Sequence, residues 1–278
     1  MITIEIMGGL GNQLFQIFTL ISTAIDYKTP FFFENKEKPV IGHRKLFYWN
    51  NFLSSLSTFI KSDTAQMIYR ERGFAYTPIS FDNLNKLQNI KLVGYFQSYL
   101  YFNHNKDIIF RLIKLNNQKK IVLHKYRENY FDECVSLHFR IGDYLNIQEH
   151  HPVLKTDYYI KALGQLVKTT NKNNWKILCF YEKNDEIIVQ DHINELVGRF
   201  PSLIFERINH ELEDWEQMLS MSLCQHNIIA NSSFSWWGAY MNINNNIVYY
   251  PNVWFGPAQG TKVMDDMYPK NWIKISDC

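Results

Sequence analysis

Long apolar runs are absent from this sequence. No stretch reaches roughly 18 uninterrupted apolar residues, the length that a membrane-spanning helix needs. Residues 1–7 carry neither the basic segment nor the long apolar segment of a signal peptide. These absences argue against a membrane-spanning or secreted class and predict a cytoplasmic protein.

Cysteine and net charge are also low. The cysteines at positions 134, 179, 224 and 278 form no Cys-x-x-Cys pair, so we expect reduced and mostly buried thiols. The chain has 29 basic and 27 acidic residues, which provide no basic field for a nucleic-acid backbone, and we expect no nucleic-acid partner. Hydrophobic residues make up 46% of the chain and charged residues 20%, a balance that favours a globular over a disordered protein.

Several cofactor signatures are missing as well. The sequence has no Asp-x-Asp triplet and no paired His or Cys ligands, so we expect no metal site. Leu14 stands where a Gly-x-Gly-x-x-Gly fingerprint would place its third glycine, and no Gly-Lys-Ser/Thr follows. Neither a dinucleotide-binding fold nor a P-loop is therefore predicted.

What the sequence does contain is an alternation of strand-like and helix-like segments. Residues 1–7 are predicted to form a strand, 8–11 a glycine turn and 12–27 a helix. Further predictions for the first half are strands at 31–34 and 90–96, helices at 62–71 and 98–115, and a polar linker at 116–120. The second half is more regular, with strands at 135–140, 176–181, 203–207, 227–230 and 247–250 and helices at 157–168, 185–198, 214–223 and 234–242. This alternation predicts an α/β fold of parallel sheets covered by helices, with a domain boundary near 116–130.

The glycine turn at 8–11 is the first candidate for a ligand contact. A strand precedes it and a helix follows it, which is the context of a diphosphate-binding loop, and glycine lets a ligand approach the backbone. Taken alone, a tight structural turn explains these glycines at least as well.

The second candidate lies at the carboxyl end of the predicted strand at 135–140. In an open parallel sheet, ligands bind at the carboxyl ends of the strands. His138 and Arg140 alternate with Phe139 and so face the same side, and Gly142 turns the chain so that Asp143 can face the crevice. Arginine suits a diphosphate because it is permanently charged and bidentate. The alternative is a structural ion pair between Arg140 and Asp143.

The third candidate is the start of the predicted helix after the strand at 227–230. Asn231, Ser232, Ser233 and Phe234 lie at this start, where unpaired N–H groups and the positive end of the helix dipole suit a phosphate. The alternative is an ordinary serine N-cap beside aromatic residues that pack the core.

Together these segments resemble the bacterial α-1,2-fucosyltransferases of glycosyltransferase family 11. The resemblance lies in Gly-Gly-Leu-Gly-Asn-Gln-Leu-Phe-Gln at 8–16, His-x-Arg-x-Gly-Asp-Tyr at 138–144 and Ile-Ile-Ala-Asn-Ser-Ser-Phe-Ser-Trp-Trp-Gly-Ala at 228–239. Residues 94–98, 157–159 and 269–274 also fit. The resemblance covers nearly the whole chain in the same order.

The resemblance implies a GT-B type fold, in which two Rossmann-like domains face each other across a cleft. We expect an acceptor-side domain at 1–122 and a GDP-fucose-binding domain at 123–278. The implied reaction is an inverting, metal-independent transfer of L-fucose from GDP-β-L-fucose to the 2-hydroxyl of a galactoside, with no cofactor besides the donor substrate. The expected partner is a galactose-terminated oligosaccharide in surface glycan or O-antigen synthesis, with peripheral contact to a lipid-linked glycan at the inner membrane. The natural acceptor and the oligomeric state stay open.

The resemblance also implies roles for individual residues. Arg140 and helix-start N–H groups near Ser232, Ser233 and Phe234 would stabilise the departing GDP, His138 and Asn231 would contact the nucleotide or fucose, and Gly11 and Asn12 would approach from the other domain. Asp143 is the first candidate for the base that takes the proton of the acceptor hydroxyl, and its alternative is to orient Arg140 or cap a turn. Further candidates are less favoured: Glu149, His150 and His151 lie in a polar loop, and Asp157 suits a helix cap.

Two departures from the family pattern keep rival functions open. Ile141 stands where a second arginine is common, and residues 181–183 read Tyr-Glu-Lys where Ser-Asp-Asp is common, so no donor contact is assigned there. One rival is a fucosyltransferase of the same architecture with another acceptor. The other is a nucleotide-sugar-binding or glycan-binding protein without catalytic activity.

Overall fold

The computed structural model describes all residues except 38, 40–46, 63–64, 66, 82–88, 245, 261 and 277–278. The chain divides into two compact units. The first comprises Met1–Gln118 and Lys262–Pro269, and the second comprises Lys119–Thr261 and Lys270–Cys278. The chain therefore leaves the second unit near its end, contributes eight residues to the first and then returns.

The first unit is built on short parallel strands. Its three-stranded sheet has the order β1 (Ile2–Ile4), β5 (Ile90–Val93), β4 (Met67–Arg70), and β2 (Phe33–Glu34) pairs with β3 (Ile60–Lys61) beside it. The helices are α1 (Leu10–Asp26), α2 (Lys106–Leu112) and α3 (Leu115–Leu123), and the boundary between the units falls within α3. In α1, the ring of Phe18 packs edge-on against Phe102 and Phe110, which anchors this helix in the core.

Three predictions for the first unit are wrong. The helix predicted at 62–71 is not formed, since the described residues of this range contain the strand β4 and residues 63, 64 and 66 lie outside the described part. The side chains of β4 alternate between half-buried and exposed positions while its backbone pairs with β5, as in a strand at a sheet surface. The predicted helix at 98–115 is broken into 3₁₀ turns and α2, and Lys114, with φ of +54°, separates α2 from α3. Residues 116–120 are not a linker, since they lie within α3.

The second unit contains a six-stranded parallel sheet. Its order is β11 (Ile273–Ile275), β10 (Val248–Pro251), β9 (His226–Ile228), β6 (Cys134–His138), β7 (Lys176–Phe180), β8 (Ile204–Arg207). The helices are α4 (Thr156–Thr170), α5 (Glu186–Arg199), α6 (Asp214–Leu223) and α7 (Ser233–Tyr240). Every residue of β6 is buried, as expected for a central strand of a parallel sheet that is covered on both faces.

The two units confirm the predicted α/β class, since the strands paired within the described residues of both units are parallel. In the second unit the predicted strands and helices all exist, and their ends differ from the prediction by up to two residues. The strand β11 was not predicted, because Ile273–Ile275 is too short to show a pattern in the sequence. The proposed division at residue 122 and the roles given to the two domains stay predictions.

Candidate functional site

The candidate site lies where the strand order of the second unit reverses. Strands β6, β7 and β8 follow one another in one direction from the centre of the sheet, and β9, β10 and β11 follow in the other. β6 and β9 are neighbours, and the connections that follow them lead to opposite sides of the sheet, which is the topological position where open α/β sheets have their ligand crevice. His138 is the last residue of β6, Arg140 lies in the loop that follows it, and Asn231 lies in the loop after β9.

Arg140 is the charged centre of this crevice. One terminal nitrogen, Nη2, donates to the Asp143 carboxylate, and the other, Nη1, donates to the Glu182 carboxylate. Its side chain keeps 22% of its surface exposed, so the guanidinium is accessible from solvent. Burial acts to lower the pKa of Arg140, but Tyr144, Asp143 and Glu182 outweigh burial and raise it, so the group stays a cation. The ion pair that the sequence offered as the alternative is therefore formed.

Tyr144 connects the two loops of the crevice. Its ring lies 4.8 Å from Cζ of Arg140, in a cation–π contact, and its hydroxyl donates to the backbone oxygen of Asn231 at 3.1 Å. His151 stacks on the Tyr144 ring with 4.9 Å between the centroids. Arg140 is thereby held by an aromatic ring as well as by two carboxylates.

His138 is buried at the end of β6 and is poised for a hydrogen bond. The Tyr159 hydroxyl donates to the backbone oxygen of His138 at 3.1 Å. The centroid of the His138 ring lies 5.7 Å from the centroid of the Phe234 ring at the start of α7. The ring atom Nδ1 is buried and finds no hydrogen-bond partner among the described residues. A buried polar atom without a partner is costly, so Nδ1 of His138 is a candidate for a contact with a ligand.

The pKa of His138 gives a prediction for acid stability. Burial, with a further contribution from Arg140, lowers this pKa from 6.5 to about 3. The unfolded chain therefore takes up a proton as the pH falls below 6.5 while the folded protein does not. The stability due to neutral His138 is complete above that pH and is lost toward pH 3, at about 1.4 kcal/mol per pH unit.

Urea unfolding at pH values between about 6.5 and 5 measures this loss. We expect His138→Gln to show a shallower fall of the unfolding free energy with pH than the unsubstituted protein. His226 contributes to the remaining slope, because burial and Lys172 lower its pKa to about 4. The exposed His124 supplies the control, His124→Gln, which should keep the full slope. Equal slopes in all three proteins would contradict the assignment.

The start of α7 forms the other side of the crevice. Ser232 is the N-cap, and its hydroxyl accepts from the backbone N–H of Phe234 at 3.4 Å, so the ordinary capping role is present. Ser233 is the first helical residue and is half-buried. Asn231 is fully buried and donates through Nδ2 to Pro152 O at 2.8 Å, whereas its Oδ1 has no hydrogen-bond partner among the described residues. Two buried side-chain atoms without partners among the described residues therefore lie near the ends of β6 and β9, one from each strand end.

Comparison with known proteins decides the family. The family model described as "Glycosyl transferase family 11" matches residues 1–276. The chain belongs to glycosyl transferase family 11. This confirms the resemblance that the three sequence segments indicated.

Three characterised relatives are similar to this family 11 chain. An O-antigen biosynthesis glycosyltransferase of Escherichia coli is 29% identical to this chain, in a match that covers 66% of this chain and 60% of that protein. An alpha-1,2-colitosyltransferase of Escherichia coli is 30% identical, in a match that covers 67% of this chain and 63% of that protein. A galactoside 2-alpha-L-fucosyltransferase of Caenorhabditis elegans is 27% identical over 99% of this chain and 79% of that protein. The matches with the two bacterial relatives therefore span less than two thirds of their length. Among solved structures, the E. coli ADP-heptose lipopolysaccharide heptosyltransferase II matches 99% of this chain and 89% of its own at 8% identity, with a TM-score of 0.47.

The glycine turn of the family 11 chain lies in the first unit. Gly8 has a φ of +78°, and a Cβ added to it would lie 2.6 Å from Nδ2 of Asn12, so this position requires glycine. Asn12 accepts through Oδ1 from Nε2 of Gln97 at 2.8 Å, which joins the loops after β1 and β5. Gly11 is buried in the first turn of α1. The structural turn is therefore present, and Gly11 and Asn12 stay predicted donor contacts.

Two residues of the second unit were missed by the sequence analysis. Glu182 contacts Arg140, and Asp185 accepts from the backbone N–H of Gly142 at 2.9 Å through Oδ2. Both follow β7, and the parallel register pairs His138 with Phe180, which places the second residue after each strand side by side. The sequence alone does not determine that register and therefore carries no signal for Glu182. Among the less favoured candidates, Glu149 and His150 are exposed, and Asp157 lies exposed in the first turn of α4.

A close backbone approach supports the loop that holds His151. Gly256 donates to His150 O at 2.8 Å, and a Cβ added to it would lie 2.4 Å from Glu149 O and 2.5 Å from Gln148 O. We expect Gly256→Ala to push the two loops apart and to lower the unfolding free energy by about 1–3 kcal/mol in urea denaturation. The control is Gly198→Ala in α5, where a Cβ meets no described atom within 4 Å and should leave stability unchanged or slightly raised. Equal stability of both variants would contradict this packing.

No group of three or more His, Cys, Asp or Glu residues that could hold a metal ion is found among the described residues. In the same part of the chain, none of the helices has the length and apolar character needed to cross a membrane. The cysteines Cys134, Cys179 and Cys224 are buried and free.

Proposed function

We propose that this protein is an inverting, metal-independent glycosyltransferase that moves L-fucose from GDP-β-L-fucose to the 2-hydroxyl of a galactoside. The observation that carries the proposal is the convergence of His138, Arg140 and Asn231 at the carboxyl ends of β6 and β9. Family membership and the galactoside 2-alpha-L-fucosyltransferase relative support the reaction class. The O-antigen relative supports a role in surface glycan synthesis.

In this proposal Arg140 binds the diphosphate of the donor. Negative charge grows on the departing GDP as the bond to fucose breaks, and a guanidinium with an accessible face stabilises it more as the charge develops. The first N–H groups of α7, near Ser232, Ser233 and Phe234, add the positive end of a helix dipole. The donor is a substrate, and the proposal includes no cofactor.

The neutral His138 and the buried Asn231 supply polar contacts without charge. His138 has a free Nδ1, and Asn231 has a free Oδ1, among the described residues. Hydrogen bonds from the nucleotide or from fucose hydroxyls would satisfy these atoms, because hydroxyl groups can both donate and accept. This is the role that the proposal gives to both residues.

Inversion also needs a base that takes the proton of the acceptor hydroxyl, and we assign this step to Asp143. Its carboxylate keeps 29% of its side-chain surface exposed, so an acceptor can reach it from solvent. The proton moves from the galactose 2-hydroxyl to the carboxylate as the hydroxyl oxygen bonds to the fucose carbon. The bond to GDP breaks in the same displacement.

The deciding assay offers GDP-fucose in EDTA with lactose, Gal-β-1,3-GalNAc or free galactose. It follows GDP release and determines the linkage of the product. Transfer to the galactose 2-hydroxyl in EDTA is the expected result. The assay also includes a donor that carries colitose, because one relative is a colitosyltransferase. Transfer from that donor and none from GDP-fucose would show that fucose is not the transferred sugar. GDP binding without transfer to any acceptor would favour a binding protein, and no GDP binding would refute the donor assignment.

A further inference from the structure

Both terminal nitrogens of Arg140 are held by carboxylates of the protein itself. Nη2 donates to Asp143, and Nη1 donates to Glu182. Carboxylates and phosphates bind a guanidinium through the same forked geometry. The guanidinium that we propose as the diphosphate-binding group is therefore already bound by two carboxylates of the protein.

The two carboxylates differ in how firmly they are placed. Asp143 lies three residues after Arg140 in the same loop, and its side chain is 29% exposed. Glu182 comes from the neighbouring loop after β7, and its side chain is 45% exposed. A half-exposed glutamate pairs only weakly and can rotate into water at low cost. Glu182 is thus the partner that an incoming anion displaces more easily.

The backbone around Glu182 is fixed by contacts that do not use its carboxylate. Asp185 accepts from the Gly142 N–H at 2.9 Å, which ties the loop after β7 to the loop after β6. Asp185 also donates its own N–H to the backbone oxygen of Glu182 at 2.7 Å. The Glu182 side chain can therefore leave Arg140 by rotation of its own torsions, while both loops keep their positions.

Charge determines the effect of Glu182 on a donor. A guanidinium with two carboxylates has a net charge of −1, so the filled site repels a diphosphate until one carboxylate departs. We infer that Glu182 competes with the donor diphosphate for Arg140 and so sets the affinity for the nucleotide sugar. This inference rests on the proposed function.

Calorimetric titration with GDP tests the competition. Glu182→Gln removes the charge and keeps the size of the side chain, and we expect it to bind GDP about 2- to 5-fold more tightly than the unsubstituted protein, the range for a half-exposed ion pair. Glu182→Asp shortens the side chain while it keeps the charge, and it should also tighten binding. Glu186→Gln is the matched control, because the Glu186 side chain is 46% exposed and pairs with Arg207 at 2.9 Å rather than with Arg140. It should leave the GDP affinity unchanged.

Weaker or unchanged GDP binding by both Glu182 variants would overturn the inference and would assign Glu182 to holding Arg140 in place. Equal tightening in Glu186→Gln would overturn it too, since the effect would then be one of overall charge. If the unsubstituted protein binds no GDP, the proposed function fails together with the inference. Thermal unfolding of each variant checks that the fold is retained.

Discussion

Replacement of Arg140 by Lys is expected to lower kcat by about 10²- to 10³-fold, the range for removal of one group that stabilises developing charge. A lysine keeps the positive charge but offers a point charge in place of the planar fork. It also loses the flat contact with the Tyr144 ring and cannot hold Asp143 and Glu182 at two separate nitrogens. The expected loss therefore comes from geometry, since the charge is unchanged.

Steady-state kinetics with GDP-fucose, together with thermal unfolding, measure this effect. Arg207→Lys is the control, because Arg207 is an exposed arginine at the end of β8 that pairs at 2.9 Å with Glu186, the first residue of α5. It should keep near-normal turnover. A near-normal kcat in Arg140→Lys would remove Arg140 from the mechanism.

Asp143→Asn is expected to lower transfer by about 10²- to 10⁴-fold, because general base catalysis contributes that range. GDP binding should be kept or become tighter, because the substitution removes one of the two negative charges beside Arg140. The amide oxygen of asparagine still accepts from Nη2 of Arg140, so the guanidinium keeps a partner at the same position. What the amide cannot do is accept the proton of the acceptor hydroxyl. The substitution thus separates proton transfer from the orientation of Arg140.

Two assays on the same variant distinguish the roles of Asp143. GDP titration reports the state of Arg140, and single-turnover transfer reports the chemical step. Asp157→Asn is the matched control, since Asp157 is an exposed aspartate in the first turn of α4. Parallel losses of GDP binding and transfer in Asp143→Asn would show that Asp143 acts only through its ion pair with Arg140.

The second unit was largely predictable because its strands are buried and its helices are amphipathic. The buried run of β6 and the spacing of α4 and α6 each leave a clear pattern in the sequence. The first unit gave weaker signals. β4 has four residues and lies at the edge of its sheet, so its alternating pattern is too short to distinguish a strand from part of a helix. Edge strands receive much of their stability from one neighbour, which a local pattern does not show.

The site was predictable where a single loop carries it. His138, Arg140 and Asp143 follow one strand, and alternation along that strand indicated that they share a side. Glu182 reaches Arg140 from another strand, 42 residues along the chain, so only the pairing of β6 with β7 brings the two together. Contacts of this kind depend on register, which one sequence leaves undetermined.

The return of the chain to the first unit near its end determines how the protein can be dissected. Within that returning segment, Asp266 accepts through Oδ2 from the backbone N–H of Tyr76, and its carbonyl oxygen accepts from the hydroxyl of Ser98. A fragment that begins at residue 119 would therefore lack Tyr76 and Ser98, the partners of Asp266, and residues 262–269 would lose their contacts with the first unit. Truncation after residue 261 would remove β11 from the large sheet as well. A single cut in the chain therefore cannot give either unit intact. To express the second unit alone, residues 262–269 would have to be replaced by a linker between residues 261 and 270.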